Sequence, residues 1–175
     1  SFPCFFSFHR VSGSSMEPLL MNGDYIISLR AWLLRPSKNH YNDIFIFFGP
    51  AGKNEKFIKR CKAQPGDTIL IQSGFIFRKE NGIKEVLNNT ARVKILLSSE
   101  EELEAMSDYF KKNSQKGLKY AFFFLGDNST NSIDSKTFGF IPWSNISSKC
   151  IFSISISRSQ NTVLRRSILI KILNH

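Results

Sequence analysis

The sequence predicts a mainly β protein that carries one small α/β insertion. Short aromatic and β-branched runs recur along the chain, and 17 of its 175 residues are Phe. Turn-forming pairs such as Asn22-Gly23 and Asn81-Gly82 separate several of these runs. A chain of this length can form one domain with a buried core. We therefore expect a β-sheet or β-barrel core.

Eight strands are predicted in chain order. They cover residues 24–29, 43–48, 57–61, 68–71, 74–78, 83–86, 121–125 and 151–156, each short and rich in aromatic or β-branched side chains. The fifth and sixth form a hairpin around Asn81-Gly82, a pair typical of a type I′ turn.

One helix is predicted near the middle of the chain. Ser99 and Glu102 form a capping box, and Leu103, Met106 and Phe110 then share one face. We therefore divide the chain into a discontinuous β core (1–71 and 120–160), an inserted α/β elaboration (72–119) and a C-terminal strand or tail (161–175).

The composition restricts the class of partner. A net charge of +10 suits an anionic partner, either lipid headgroups or nucleic acid. No apolar run reaches the roughly 18 residues of a membrane-spanning helix. The aromatic segment that follows Ser1 at once suggests a fragment whose upstream part, with any membrane anchor, is missing. Cys4, Cys61 and Cys150 lack metal-type spacing; they allow one disulfide, but buried thiols are the prediction.

Ser15 is the candidate nucleophile. Gly13 permits a tight turn before it, Pro18 stiffens the exit, and Met16 supplies an adaptable apolar contact. Such a turn also exposes the backbone N–H of Ser15, which can stabilise a developing oxyanion. Most serines only cap a turn or face solvent, so Ser15 needs a partner base.

Lys59 is the better candidate for that base. His9 has no evident orienting carboxylate nearby, His40 lies in a predicted polar turn, and His175 ends the chain. Lys59 follows Phe57 on a predicted buried strand, where desolvation lowers the pKa of an amine, and we expect the adjacent Arg60 to lower it further. The alternative is an edge lysine that points to solvent, as Lys62 is expected to do.

A polar loop from Gly126 to Ser135 supplies supporting groups. Ser132 can hydrogen-bond the lysine amine, while Asp127 and Asp134 can pair with Arg60 and Lys136. The same composition also fits a plain turn before a strand.

In combination these segments resemble the ordered motifs of bacterial type I signal peptidases. The resemblance runs from about residue 8 to 152 without the insertion, and it rests on these segments: Ser15-Met16-Glu17-Pro18 with Gly23-Asp24, Asn42-Asp43-Ile44, Lys59-Arg60 with Pro65-Gly66-Asp67, and Gly126-Asp127-Asn128 with Asn131-Ser132, Asp134-Ser135 and Gly139. It implies a membrane-associated serine endopeptidase with a signal-peptidase-like β core, which removes signal peptides from exported preproteins after a small-x-small motif such as Ala-x-Ala.

The resemblance also implies roles for individual residues. Ser15 is the nucleophile, Lys59 the general base and Ser132 the residue that orients the lysine. Arg60 pairs with Asp127, and Asp134 pairs with the charge at position 136. The walls of the substrate pocket are formed by Val11, Met16, Leu20, Phe57 and Ile58. No metal or organic cofactor is implied.

Some positions depart from the family pattern. Ser129-Thr130 replaces a common Arg-Asp, Lys136 and Phe138 replace Arg and Trp, and Leu19 replaces Thr. Gly13 stands where some members have a serine whose hydroxyl completes the oxyanion hole. These departures affect supporting contacts and leave the nucleophile and base in place.

The expected location is the extracytoplasmic face of the bacterial inner membrane, reached through an anchor upstream of this fragment. Basic residues would meet anionic lipid there, with the aromatic side chains of residues 2–8 entering the interface.

Other hypotheses remain open: a specialised serine–lysine processing protease of the pilin-maturation type, a self-cleaving repressor-type peptidase, and an inactive family member. A basic β module that binds nucleic acid would need aromatic and basic residues alternating on one exposed strand face. The sequence lacks this alternation, so no nucleic acid partner is expected. Gly49-Pro50-Ala51-Gly52-Lys53 lacks the spacing of a phosphate-binding loop.

Overall fold

Antiparallel strands make up most of the structure, a computed structural model that describes residues 4–36, 39–49, 55–64, 67–72, 75–80, 83–88, 121–158 and 166–173. The strands are β1 (Phe6–Arg10), β2 (Tyr25–Arg30), β3 (Ile44–Phe48), β4 (Lys56–Ala63), β5 (Thr68–Gln72), β6 (Phe75–Glu80), β7 (Ile83–Asn88), β8 (Ala121–Leu125), β9 (Ile141–Pro142), β10 (Ile146–Arg158) and β11 (Arg166–Ile172).

Helical structure within the described ranges is short. One α-helix, α1, covers Ser135–Phe138, and 3-10 turns cover Ala31–Leu33, Ser129–Asn131 and Trp143–Asn145. None of these helices has the length and apolar character needed to cross a bilayer. The helix predicted from Ser99 to Phe110 lies outside the described residues.

All eight predicted strands are present. Their observed ends differ from the predicted ones by a few residues, with the largest extension in β10, which covers the predicted 151–156 and continues at both ends. The mainly β prediction is therefore confirmed. β1 was not predicted. Phe6–Arg10 alternates aromatic and polar side chains, and the segment was interpreted as a tail that contacts the membrane.

Eight strands form one antiparallel sheet in the order β1-β2-β10-β3-β4-β8-β9, with β11 also paired to β10. β4 therefore lies between β3 and β8, and its residues 56–60 pair with β3 while only 60–63 pair with β8. The edge of residues 56–59 that faces away from β3 has no strand partner in the described part of the chain.

A second sheet contains β5, β6 and β7. β6 and β7 form the predicted hairpin, since Glu80 lies opposite Ile83 with two residues between them. β5 pairs with β6 from Thr68 onward, so this sheet begins four residues before the expected start of the insertion at 72. The division into core and insertion stays a prediction.

Two clusters of buried side chains form the core around the large sheet. One is mostly aromatic and contains Ala31, Phe45, Phe47, Cys61, Phe122, Phe124, Phe138, Ile141 and Ile146. The other is mostly aliphatic and contains Val11, Met16, Leu20, Ile26, Ile44, Ile46, Cys150 and Leu173. Full burial of one such side chain contributes about 1.5–3 kcal/mol, so the sheet that carries the site is firmly held.

His40 is buried, although the sequence placed it in a polar turn. Its ring stacks on Trp143 with centroids 5.4 Å apart, and its Nδ1 lies 3.2 Å from Asp43 Oδ2. Lys149 Nζ on β10 lies 2.8 Å from the same carboxylate. Through Lys149 this pair connects the start of β3 to β10, and His40 makes no hydrogen bond with Ser15.

None of the three cysteines forms a disulfide. Cys61 and Cys150 are fully buried, one in each core cluster, and Cys4 is exposed. Burial raises the pKa of the Cys150 thiol. The prediction of buried thiols holds for Cys61 and Cys150, whereas Cys4 is exposed.

Candidate active site

Ser15 lies in a loop between β1 and β2 that is closed by backbone hydrogen bonds. Val11 N donates to Asp24 O at 2.8 Å, and Gly23 N donates to Val11 O at 2.9 Å. Gly13 has φ +85°, a left-handed conformation that glycine adopts without steric cost. Met16 is 1% exposed and anchors the loop in the aliphatic core cluster. This loop fixes the position of Ser15 while leaving its hydroxyl at the surface of a groove.

Lys59 lies beside Ser15, although 44 residues separate them in the sequence. Its Nζ is 2.7 Å from Ser15 Oγ and 3.1 Å from the carbonyl oxygen of Ile58. Its Nζ lies over the Phe57 ring, 5.6 Å from the ring centroid, and Lys59 is only 4% exposed. The geometry is that of a hydroxyl and an amine in direct hydrogen-bond contact.

Burial lowers the pKa of the Lys59 amine to about 8, because the ammonium form loses hydration. The carboxylates of Asp134 and Asp127 act in the opposite direction and limit the fall. Roughly a tenth of such an amine is neutral at pH 7, which is enough to serve as a base.

Arg60 does not contribute to this shift, contrary to the sequence-based expectation. Successive side chains alternate between the two faces of β4, so Arg60 and Lys59 point to opposite sides. Arg60 forms a bidentate pair with Asp127, with both N–O distances at 2.7 Å, and donates to Asn42 O at 2.8 Å. Its charge is therefore neutralised locally, and desolvation is the cause of the low Lys59 pKa.

Lys62 is the other lysine on this part of β4. It is half-buried, and its Nζ donates to Asn42 Oδ1 at 2.8 Å. The expectation of a solvent-facing side chain is therefore met only in part.

The polar loop after β8 forms hydrogen bonds with the backbone of Ser14 and Ser15. Asn128 N donates to Ser15 O at 3.0 Å, and Asn128 Nδ2 donates to Ser14 O at 3.2 Å. Asn131 Nδ2 lies 2.5 Å from Ser14 Oγ. No individual role was predicted for either asparagine, and both were named only as parts of a motif. Their contacts span more than 110 residues, and no local pattern indicates them.

Asp134 is fully buried and organises the end of this loop. It accepts hydrogen bonds from Gly126 N (3.1 Å), Ser132 Oγ (2.7 Å) and Lys136 N (3.0 Å), the last as the cap of α1. Lys136 Nζ is 3.8 Å away and donates to Ser129 O instead. The expected Asp134–Lys136 pair is thus a long contact, as a lysine without the arginine fork would give.

Ser132 lies next to the nucleophile loop but does not bond the Lys59 amine; its hydroxyl donates to Asp134. Gly126 separates it from Ser15. A Cβ at Gly126 would lie 2.6 Å from Ser15 O and 2.7 Å from Ser132 Cβ, so glycine alone permits this approach.

A groove of about 540 Å³ runs past the Ser15 hydroxyl. Of the five predicted pocket residues, Val11, Met16, Phe57 and Ile58 line it. Leu20 does not, because it is fully buried in the aliphatic core cluster. The other lining residues are His9, Arg10, Ser12, Gly13, Ser14, Ser15, Ile46, Glu55, Lys56, Lys59, Asn131 and Ile133. Within the described ranges, no group of three or more His, Cys, Asp or Glu side chains is arranged to hold a metal ion.

Comparison with known proteins identifies the family. The family model described as "Signal peptidase, peptidase S26" matches residues 2–155. The chain belongs to the S26 signal peptidase family. It is accordingly a serine peptidase that cleaves signal peptides.

Relatives of this S26 peptidase include bacterial signal peptidases and a chloroplast processing peptidase. It is 30% identical over 151 residues to signal peptidase I of Bacillus caldolyticus, covering 84% of this chain and 78% of that protein. It is 24% identical over 219 residues to signal peptidase I of Buchnera aphidicola subsp. Acyrthosiphon pisum, covering 87% and 69%. The thylakoidal processing peptidase 1 of Arabidopsis thaliana is 28% identical over 153 residues, covering 81% of this chain and 40% of that protein.

A crystal structure of a signal peptidase I from Enterococcus faecalis V583 aligns with 64% of this chain and 96% of that chain, at 22% identity and a TM-score of 0.37.

Proposed function

We propose that Ser15 is the nucleophile and Lys59 the general base of this S26 signal peptidase. The proposal rests on one observation, the 2.7 Å contact between Lys59 Nζ and Ser15 Oγ in a buried environment. Neutral Lys59 accepts the hydroxyl proton as Ser15 Oγ bonds to the scissile carbonyl carbon, and the carbonyl π electrons move to its oxygen. When the C–N bond breaks, the lysine ammonium returns the proton to the leaving amine.

Supporting roles follow from the contacts around this dyad. We assign Asp134 and Ser132 to holding the loop below Ser15, and the Arg60–Asp127 pair to fixing that loop against β4. The Asp134 carboxylate accepts hydrogen bonds from Gly126 N, Ser132 Oγ and Lys136 N at the start of α1, so one side chain connects these parts of the loop. Ser132 makes no hydrogen bond with the Lys59 amine and affects it only through the Asp134 carboxylate, whose charge raises the pKa of Lys59.

The groove favours an extended substrate segment with small side chains. On one side lies the Ser12–Ser15 loop, and on the other lies the edge of β4 at residues 56–59, which has no strand partner among the described residues. An extended peptide can add to such an edge through main-chain hydrogen bonds. Val11, Met16, Phe57 and Ile58 narrow the groove with apolar side chains, which supports cleavage after a small-x-small motif such as Ala-x-Ala.

A membrane-surface location is supported by one face of the large sheet. Side chains opposite one another across strands share a face, and this face carries mostly apolar residues from β1, β2 and β10: Phe6, Phe8, Tyr25, Ile27, Leu29, Phe152 and Ile154. Phe8 is 73% and Phe6 46% exposed. Together with the net charge of +10, this apolar face suits the interface of an anionic bilayer. We place the peptidase at the extracytoplasmic membrane face, with preproteins as substrates.

Peptide cleavage tests the dyad. The wild type, in detergent with an Ala-x-Ala signal-peptide substrate, is compared with Ser15→Ala and Lys59→Ala. Both variants should lose cleavage, while Lys62→Ala on the same strand should retain it. Cleavage that survives either dyad substitution contradicts the assignment. A wild type that cuts only a different class of precursor would favour a specialised processing protease, and one that cuts none would favour an inactive member.

Vesicle binding tests the membrane proposal. The protein should sediment with anionic vesicles in a salt-sensitive manner, and Phe6→Ser with Phe8→Ser should weaken binding without changing cleavage of a short soluble peptide. Equal partitioning to neutral and anionic vesicles would contradict it.

A further inference from the structure

The nucleophile loop lacks a side chain at Gly13, yet a second hydroxyl lies beside the nucleophile. Ser14 precedes Ser15 directly, and both residues line the groove. A tetrahedral intermediate on Ser15 carries an oxyanion that needs preorganised donors about 2.7–3.1 Å away. The Ser15 backbone N–H is one candidate, since it has no hydrogen-bond acceptor among the described residues. A single N–H leaves room for a second donor.

Covalent geometry keeps the Ser14 hydroxyl close to that N–H. Four covalent bonds separate Ser14 Oγ from Ser15 N, so the two atoms are at most about 5 Å apart. One oxygen can therefore accept from both donors at ordinary hydrogen-bond distances.

The polar contacts of Ser14 leave its hydroxyl proton free. Ser14 O accepts from Glu17 N at 3.1 Å and from Asn128 Nδ2 at 3.2 Å, which fixes the backbone. Ser14 Oγ accepts from Asn131 Nδ2 at 2.5 Å. Because the amide supplies the proton of that bond, the hydroxyl keeps its own proton for another acceptor. No acceptor for it occurs within the described part of the chain.

We propose that the Ser14 hydroxyl, held in place by Asn131, is the second donor of the oxyanion hole. Ser14 is then a catalytic residue that bonds the oxyanion, and Asn131 is a positioning residue. The inference rests on the assignment of Ser15 and Lys59 as the dyad. It gives Asn131 a function beyond closing the loop and offers a replacement for the hydroxyl that Gly13 cannot supply.

Steady-state kinetics of the whole 175-residue chain on the signal-peptide substrate tests the proposal. Removal of one oxyanion donor costs up to about 10²–10³ in kcat, and we expect Ser14→Ala to lower kcat at least about tenfold with KM unchanged. Ser14→Thr, which keeps the hydroxyl, should retain most of the rate. Asn131→Asp should lower kcat as Ser14→Ala does, because a carboxylate accepts the hydroxyl proton instead of donating. Ser144→Ala, an exposed serine outside the groove, is the matched control.

A second readout separates catalysis from folding. A peptide aldehyde forms a hemiacetal with Ser15, and the hemiacetal oxygen occupies the position of the oxyanion in the tetrahedral intermediate. The inhibition constant of the aldehyde should therefore rise with Ser14→Ala in parallel with the fall in kcat. Binding of an uncleavable substrate peptide should stay the same. If Ser14→Ala and Asn131→Asp both keep kcat within about twofold of the wild type, the proposal is wrong. If the wild type is active and Ser15→Ala is also active, the dyad assignment fails instead.

Discussion

Lys59→Met should inactivate the peptidase and stabilise its fold at neutral pH. The amine is buried, and its pKa falls from 10.5 to about 8. At about 1.36 kcal/mol per pH unit, keeping the ammonium buried costs the native state about 3 kcal/mol. Met has a similar length and no charge, so it removes this cost. The lost hydrogen bond to Ser15 Oγ offsets part of the gain, by about 1 kcal/mol.

The sign of the pH dependence follows from proton linkage. Between pH 8 and 10.5 the unfolded chain binds more protons at this lysine than the native state does, so wild-type stability rises with pH there. Below pH 8 the cost is present in full. The advantage of Lys59→Met over wild type should therefore shrink by about 2.5 kcal/mol between pH 7 and pH 10.

Urea unfolding of both proteins at pH 7 and pH 10 measures this difference. Other titrating groups are common to the two chains, so they cancel in the comparison. Lys62→Met on the same strand controls for the loss of a cation from β4. If the stability difference between Lys59→Met and wild type is the same at both pH values, the pKa of Lys59 is not lowered in the native state.

Three further outcomes are expected. Asp134→Asn removes a charge that raises the pKa of Lys59, so the acidic limb of the kcat/KM profile should move to lower pH; a shift to higher pH would contradict this. Asp127→Ala leaves the buried guanidinium of Arg60 unpaired and should lower the free energy of unfolding by about 3 kcal/mol in urea titration, whereas loss of under about 0.5 kcal/mol would show a solvated pair. Gly126→Ala forces a Cβ to within 2.6 Å of the nucleophile's carbonyl oxygen, so kcat should fall at least about tenfold with little change in the thermal midpoint of unfolding; wild-type kcat would mean that the loop yields freely.

The strands were predictable because each is specified locally. Ala121–Leu125, for example, is a run of apolar residues in a chain rich in turn formers, and the structure has it with the predicted ends. β1 was missed because an exposed edge strand with alternating Phe and polar residues is indistinguishable, by sequence, from an aromatic tail.

The error about Arg60 has a different origin. Adjacency in sequence suggested a like charge beside the amine, but a β-strand sends neighbouring side chains to opposite faces. The distance that matters was therefore the one across the fold, from Lys59 to the carboxylates of Asp127 and Asp134. The burial of His40 also depends on a contact across the fold, since its stacking partner Trp143 lies more than a hundred residues later in the chain.

By itself the sequence determined the strand content, the family and the residue types of the site, because these depend on local pattern and on motif order. Only the tertiary structure decided which groups touch: Lys59 with Ser15, Asn131 with Ser14, and Ser132 with Asp134 rather than with the amine. Burial, too, exists only after the strands pack, and burial is what makes a lysine a base near neutral pH.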